Sequence, residues 1–168
     1  MSDISIRRVE ENDLLPLLDI YNYYIRETPI TFDVEPRTLV QRREWLASFD
    51  PTSRYQCFVA VEKERPIGWA SSHRFKERAA YDTTVESSVY LAPDRTGQGI
   101  GKRLYATLFD ALRTQHIHRI HGGITQPNPA SNRLHESMGF ERVGLLPQVG
   151  WKFGRFWDVA SYVLPFGS

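Results

Sequence analysis

Apolar and polar residues alternate through "ISIRRV" near the start of the chain, the period of a strand with one buried face. In the next segment, "ENDLLPLLDIYNYYIRE", the period lengthens. Leu14, Leu17, Leu18, Tyr21 and Ile25 fall on one helical face, with Asn12 or Asp13 placed to cap it. "PRTLVQRREWLASF" predicts a second helix, starting after Pro36 and stopped by Asp50-Pro51. Two strand-like runs, "YQCFVAVEK" and "PIGWASSHRF", are joined by the turn-like "ERP" and predict a hairpin. The β-branched "TTVESSVYLA" gives a third long strand, and "KRLYATLFDALRTQ" carries Leu104, Leu108 and Leu112 at helical spacing. "IHRIHGGIT" is a further strand, "PASNRLHESMGF" a short helix ended by Gly139, and two aromatic-rich strands close the chain. The order βααβββαβαββ predicts an α+β, or mixed α/β, domain.

Composition narrows the function classes. With 168 residues, 41% of them hydrophobic, the chain can bury one substantial core, so a single domain over residues 1–168 is expected. The 21 basic and 20 acidic side chains leave a net charge of +1, which provides no field for holding a polyanion, and no nucleic-acid partner is expected. Cys57 is the only cysteine, which excludes an internal disulfide framework; within "YQCFVAVE" it reads as a buried small hydrophobe rather than a nucleophile. The N-terminus lacks the apolar core of a secretory signal, and no run approaches the roughly 20 apolar residues of a membrane span. A cytoplasmic protein without a membrane partner is the expectation.

The stretch "VYLAPDRTGQGIGKRL", Val89 to Leu104, places Gly97, Gly99 and Gly101 at alternate positions between a strand and a helix N-terminus. There, unpaired amides and the positive end of the helix dipole attract an anion, and glycine lets a phosphate reach the backbone. A nucleoside-triphosphate loop needs Ser or Thr after Gly-Lys, and Gly101-Lys102 is followed by Arg103. A dinucleotide fingerprint needs its third glycine where this chain has Lys102, and an acidic residue about 20 positions further on, where "IHRIHGGIT" has none.

This stretch resembles the acyl-CoA loop of the GNAT superfamily of N-acetyltransferases: Gln or Arg, two residues, Gly, one residue, then Gly or Ala. Gly99-Ile100-Gly101 supplies its end, while Thr96 stands at the usual Gln or Arg position. "NPASNRLHESMGF" resembles the next superfamily motif through Asn128, Ser131, Leu134, His135 and Gly139-Phe140. "YIRETPITFDVEPRT", "KERAAYDTTVESSVYL" and "GWKFGRFWDV" are similar to segments of the phosphinothricin N-acetyltransferase family and its relatives that act on methionine sulfone and sulfoximine. The resemblance implies a three-layer fold, with a mostly antiparallel twisted central sheet, a splayed central strand and flanking helices. It implies acetyl-CoA as cosubstrate, direct acetyl transfer to the α-amino group of a small amino-acid analogue, and a homodimer. The backbone of Val89, Tyr90 and Leu91 would hold the pantetheine, and Gly97, Gln98, Gly99, Ile100, Gly101 and Lys102, with Asn128, the rest of the cofactor.

An ammonium cannot attack a thioester, so a base must take a proton from it, and Glu86 occupies the substrate end of the central strand. By the two-residue period Glu86 shares a face with Ser88 and Tyr90, while Val85, Ser87, Val89 and Leu91 take the other. His135, where the superfamily often has Tyr, reads either as a proton acceptor or sulfur contact, or as a packed histidine. His116, His118 and His121 lack acidic or cysteine companions, and no metal is expected. Lys76, Glu77, Arg78 and Tyr81, with Ser87, Ser88 and Phe32, form the expected acceptor site, although "HRFKERAAY" reads equally as a solvated basic loop. Trp151, Lys152, Phe153 and Arg155 are placed to close the pocket or to form core or interface. Two rival functions remain: acetylation of another amine, a polyamine or a protein N-terminus, and a non-catalytic acyl-CoA-binding module.

Overall fold

The structure, a computed structural model, describes residues 3–167. Strand β1 (Ile4–Arg8) leads through a single tight turn into helix α1 (Leu14–Glu27), followed by α2 (Leu39–Ala47). The chain continues with β2 (Cys57–Glu62), β3 (Arg65–Arg74), β4 (Thr84–Leu91), α3 (Ile100–Leu112) and β5 (Arg119–Gln126). Helix α4 (Pro129–Ser137) and the strands β6 (Glu141–Lys152) and β7 (Arg155–Pro165) complete the predicted order.

Three boundaries differ from the sequence reading, each for a local reason. Asp13 precedes α1 but makes no side-chain cap on it. Its carboxylate instead accepts from the Glu10 amide at 2.9 Å and from both terminal nitrogens of Arg7 at 2.8 and 2.9 Å, fastening β1 to the helix entry. Helix α2 starts at Leu39 rather than directly after Pro36, because Thr38 and Gln41 form a reciprocal capping box. It ends at Ala47, short of Asp50-Pro51. The β2–β3 turn is Lys63-Glu64, not "ERP": both residues have positive φ, 47° and 66°, the conformation whose twist suits a two-residue hairpin.

One sheet runs in the order β1-β2-β3-β4-β5-β7-β6. Every neighbouring pair is antiparallel except β4 and β5. That parallel ladder lasts only for Thr84, Val85 and Glu86 against Arg119, Ile120 and His121, after which the strands diverge. Helices cover both faces. On one, α3 buries Leu104, Leu108 and Leu112 completely with Ile120, Phe140 and Tyr162. Each such leucine contributes about 1.5–3 kcal/mol. On the other, Leu17, Ile20 and Tyr24 of α1 pack with Trp69 of β3 and Val59 of β2, and Tyr90 and Trp45 lean on this cluster. The result is the three-layer, mostly antiparallel arrangement that the resemblance implied. Cys57 is buried, 2% exposed, and burial pushes its thiol pKa up, as befits packing rather than nucleophilic attack. Among the described residues, no helix is long and apolar enough to cross a membrane.

Candidate active site

The site begins where the parallel ladder stops. Beyond Glu86, β4 has no ladder partner on its β5 side, so its backbone there borders open space. A cavity of about 290 Å³ fills this splay, lined among others by Glu86, Ser87, Ser88, Tyr105, Asn128 and His135. A second, of about 470 Å³, continues past Val89, Tyr90 and Leu91 to Thr96, Gly97, Gly99, Gly101 and Lys102, with Arg133 and Leu134 of α4 opposite. The two share Val89, Tyr90, Asn128, Ser131 and Ile30 and so form one slot running from Glu86 to the glycine loop.

Gly97 and Gly99 have φ of 73° and 76°, and an added Cβ at either would meet nothing within 4 Å. Their glycine character answers to backbone conformation and leaves the loop surface bare for a ligand. Gly101 is a helical residue whose Cβ would approach Leu134 to 3.2 Å, so it serves the packing of α3 on α4. The first-turn amides of α3 have no intrahelical acceptor and open onto this loop. Lys102 lines the groove, whereas Gln98 turns away to the Asp94 carbonyl at 3.3 Å and the Ile100 side chain is core, 1% exposed. Thr96 bonds the Pro93 carbonyl at 3.3 Å. Arg133, which sequence reading missed, adds a second cation to the groove; its exposed helical position carried no signal. The Leu91 carbonyl accepts from the Tyr24 hydroxyl at 2.7 Å, leaving less of Leu91's backbone for a ligand than expected. Asn128 caps α4 through the Ser131 amide at 3.1 Å.

Pairing places Glu86 between His73 on β3 and His121 on β5, with a Glu86 Oε2 to His121 Nδ1 contact of 3.4 Å. Its carboxylate remains 41% exposed, facing a wet cavity as a charged strand residue must. His135 lies on the opposite side of β4 and is 3% exposed. Its Nδ1 is 2.8 Å from the Ser131 carbonyl, which can only accept, so Nδ1 carries the hydrogen. Burial lowers the pKa of His135, favouring the neutral ring. Nε2 then accepts from the Tyr105 hydroxyl at 3.1 Å, and the Tyr105 oxygen accepts from Ser87 at 3.3 Å. His135 is thus both packed and chemically connected. Gly122 of β5 makes room for its ring, since a Cβ there would come within 3.1 Å of it. Tyr105 went unnoticed in the sequence because its hydroxyl sits within an apolar helical stripe.

The α1–α2 connection supplies a lid: Ile30, Thr31 and Phe32 border the splay cavity. Lys152 reaches across from β6 and donates to the carbonyls of Thr28 and Thr31 at 2.8 and 2.7 Å, and Gly150 lies against the Phe32 ring. Trp151 and Phe153 stay outside, 59% and 53% exposed, and Arg155 stacks on Trp157. The loop candidates do not border either cavity. Lys76 sits 5.0 Å over the rings of Phe75 and Tyr81, Glu77 pairs with Arg74, and Arg78 is exposed. Among the described residues, no group of three or more His, Cys, Asp or Glu side chains could hold a metal ion.

Residues 17–140 match the Acetyltransferase (GNAT) family. The chain is 49% identical over 166 residues to a phosphinothricin N-acetyltransferase of Streptomyces coelicolor, covering 98% of this chain and 97% of that one. It is 36% identical over 158 residues to an L-methionine sulfoximine/L-methionine sulfone acetyltransferase of Pseudomonas paraeruginosa, covering 92% and 90%. The crystal structure of a GNAT superfamily phosphinothricin acetyltransferase from Sinorhizobium meliloti in complex with acetyl-CoA superposes with a TM-score of 0.92 at 29% identity, over 99% of this chain and 90% of that one. A family match across most of the chain, the splayed strand and the bare glycine loop agree: the chain belongs to the GNAT family of N-acetyltransferases and is of the phosphinothricin N-acetyltransferase type.

Proposed function

We propose that this protein transfers the acetyl group of acetyl-CoA to the α-amino group of a small amino-acid analogue of the phosphinothricin, methionine sulfone or methionine sulfoximine type. The observation that carries this reading is the single slot that joins the Gly97–Gly101 loop to the Glu86 carboxylate along the unpaired edge of β4. Its open loop end, with Lys102 and Arg133, fits a phosphate-bearing ligand, and its narrow middle offers backbone groups to amides. Bound acetyl-CoA supplies the activated acyl group. Glu86, directly or through a water, accepts the proton of the acceptor ammonium. Amide N–H groups freed by the splay stabilise negative charge growing on the acyl oxygen. On the α3–α4 side, the Tyr105 hydroxyl gives its one hydrogen to His135 and accepts from Ser87, so this network braces the cavity wall rather than donating to the departing sulfur. Burial pushes the tyrosine pKa up and keeps it protonated, and a thiolate of pKa about 8.5 leaves without an acid.

The test is thiol release from acetyl-CoA against phosphinothricin, methionine sulfone, methionine sulfoximine, the standard amino acids, spermidine and a short peptide. Saturable turnover of one of the first three is expected, with kcat falling about 10²- to 10⁴-fold in Glu86→Gln while CoA binding persists. Turnover confined to spermidine or the peptide would overturn the acceptor, and undiminished turnover by the variant would overturn Glu86 as base.

The protein also acts as a cytoplasmic homodimer in this reading. Edge strand β6 is exposed along nearly its whole length, and Val143, Leu145, Leu146, Val149 and Trp151 are 44–60% exposed. A long apolar edge of this kind is covered in native proteins. Paired Leu145→Glu and Trp151→Glu substitutions should yield monomers in sedimentation equilibrium; a wild type already monomeric at micromolar concentration would sink the dimer.

A further inference from the structure

A third cavity, of about 500 Å³, lies between α2 and the β3–β4 pair, on the same sheet face as Glu86. Arg42, Trp45, Trp69, Ser71, His73 and Ser88 line it. Arg42 is 4% exposed, and its Nε and Nη2 are buried without a hydrogen-bond partner among the described residues. The guanidinium carbon lies 3.4 Å from the Trp45 ring centroid, 4.6 Å from Trp69 and 5.4 Å from Tyr21. Stacking on these rings recovers part of the lost hydration. It leaves the in-plane N–H donors unanswered, and a buried charge with unmet donors is strongly unfavourable without an anion. The carboxylates around the cavity do not supply one: Asp33 is taken by Arg37 in two bonds of 2.6 and 3.0 Å and by the Tyr21 hydroxyl at 2.6 Å, and Glu44 is exposed. Arg42 keeps its charge, since burial lowers its pKa only to about 10. His73 adds no charge at neutral pH; its pKa falls to about 4.

The place of Arg42 along the strands decides what it can hold. Trp69 opposes Tyr90, Ser71 opposes Ser88 and His73 opposes Glu86, so the cavity runs along three successive rows of one sheet face. Arg42 stands over the Trp69 row, two rows or about 13 Å by strand rise from the Glu86 row. With a hydrogen bond of about 2.9 Å at each end, an acceptor whose amine meets Glu86 reaches about 9 Å through an α-carboxylate oxygen three bonds away, short of that span, and about 12 Å through an acidic oxygen five bonds away at the end of a glutamate-length chain.

We infer that Arg42 is the receptor for a side-chain oxyanion of the acceptor, a phosphinate or carboxylate at the far end of a glutamate-length chain, whose amine lies by Glu86 and Ser88. This rests on the acetyl-transfer reading above and adds to it a reason for acidic acceptors to be preferred over neutral ones of similar length. Arg43, its neighbour in the chain, points to Glu11 at 2.7 Å and has no such role.

The experiment compares kcat/KM for phosphinothricin, which has an anionic side chain, with that for methionine sulfone, which has a neutral one. In Arg42→Met the ratio of the two should fall about 10- to 100-fold, the worth of a charged hydrogen bond, carried by KM rather than kcat. Arg42→Lys, which keeps the charge and guards against misfolding, should lose less. An equal loss on both acceptors, an unchanged ratio, or a ratio that instead collapses in Arg78→Met overturns the inference. A calorimetric titration with glutarate, an acid lacking an amine, separates this from the transferase reading: it should bind the wild type and not Arg42→Met even if no acceptor in the panel turns over. Failure of glutarate to bind the wild type overturns the subsite.

Discussion

At the scale of single residues, the loop glycines and the buried histidine show two ways in which side-chain identity serves a site. Gly99 is needed for its left-handed backbone, not for want of space. Gly99→Ala should therefore destabilise the fold by about 1–2 kcal/mol, the penalty for an L side chain at positive φ, and weaken acetyl-CoA binding as the loop shifts. Gly144, whose Cβ would also meet nothing but whose φ is ordinary, is the control: Gly144→Ala should change neither urea midpoint nor affinity. Equal effects at both positions would refute the backbone argument. His135 has the opposite logic, since its donor is fixed by the Ser131 carbonyl and its acceptor by Tyr105.

At the scale of elements, the two-residue turn between β2 and β3 is a place where local chemistry and tertiary pairing disagree. Lys63 and Glu64 both occupy the left-handed region, which neither favours, because Glu62 pairs with Arg65 and leaves no longer loop. Replacing them together by Asn-Gly should raise stability by about 1–2 kcal/mol, read as a higher thermal midpoint with unchanged turnover. A lower midpoint would mean that the strand pairing does not impose this turn. The β4–β5 pair shows the converse. Its short ladder is a local loss of hydrogen bonding, and the freed edge of β4 becomes the wall of the slot.

At the scale of the whole molecule, protonation links the buried polar groups to stability. His73 is held neutral mainly by burial, with a pKa of about 4 against 6.5 in the unfolded chain. The unfolded state therefore binds more protons between these values, and stability should be complete above pH 6.5 and fall toward pH 4, by up to about 3 kcal/mol from this group. His135, shifted in the same direction, adds to the slope. Asp33, whose pKa is lowered, loses its contribution only as pH falls below the ordinary carboxylate range. Urea titrations at stepped pH should give a shallower slope in His73→Asn; an unchanged slope would place the acid sensitivity elsewhere.

The sequence by itself determined the order of elements, the inward faces of α1 and α3, the glycine loop and the position of Glu86, because each is written in near-neighbour periodicity or in residues a few places apart. It also marked His135 and Asn128 through a local motif. Tertiary structure alone decided that Arg42 rather than Arg43 is buried, that Tyr105 meets His135, that Lys152 braces the lid, and that Lys76 and Arg78 stand outside the cavities. These depend on contacts between residues up to 124 positions apart, and on which of two adjacent arginines a helix turns toward three aromatic rings. A string of residue types does not encode that choice locally; the packing of α2 against β3 makes it.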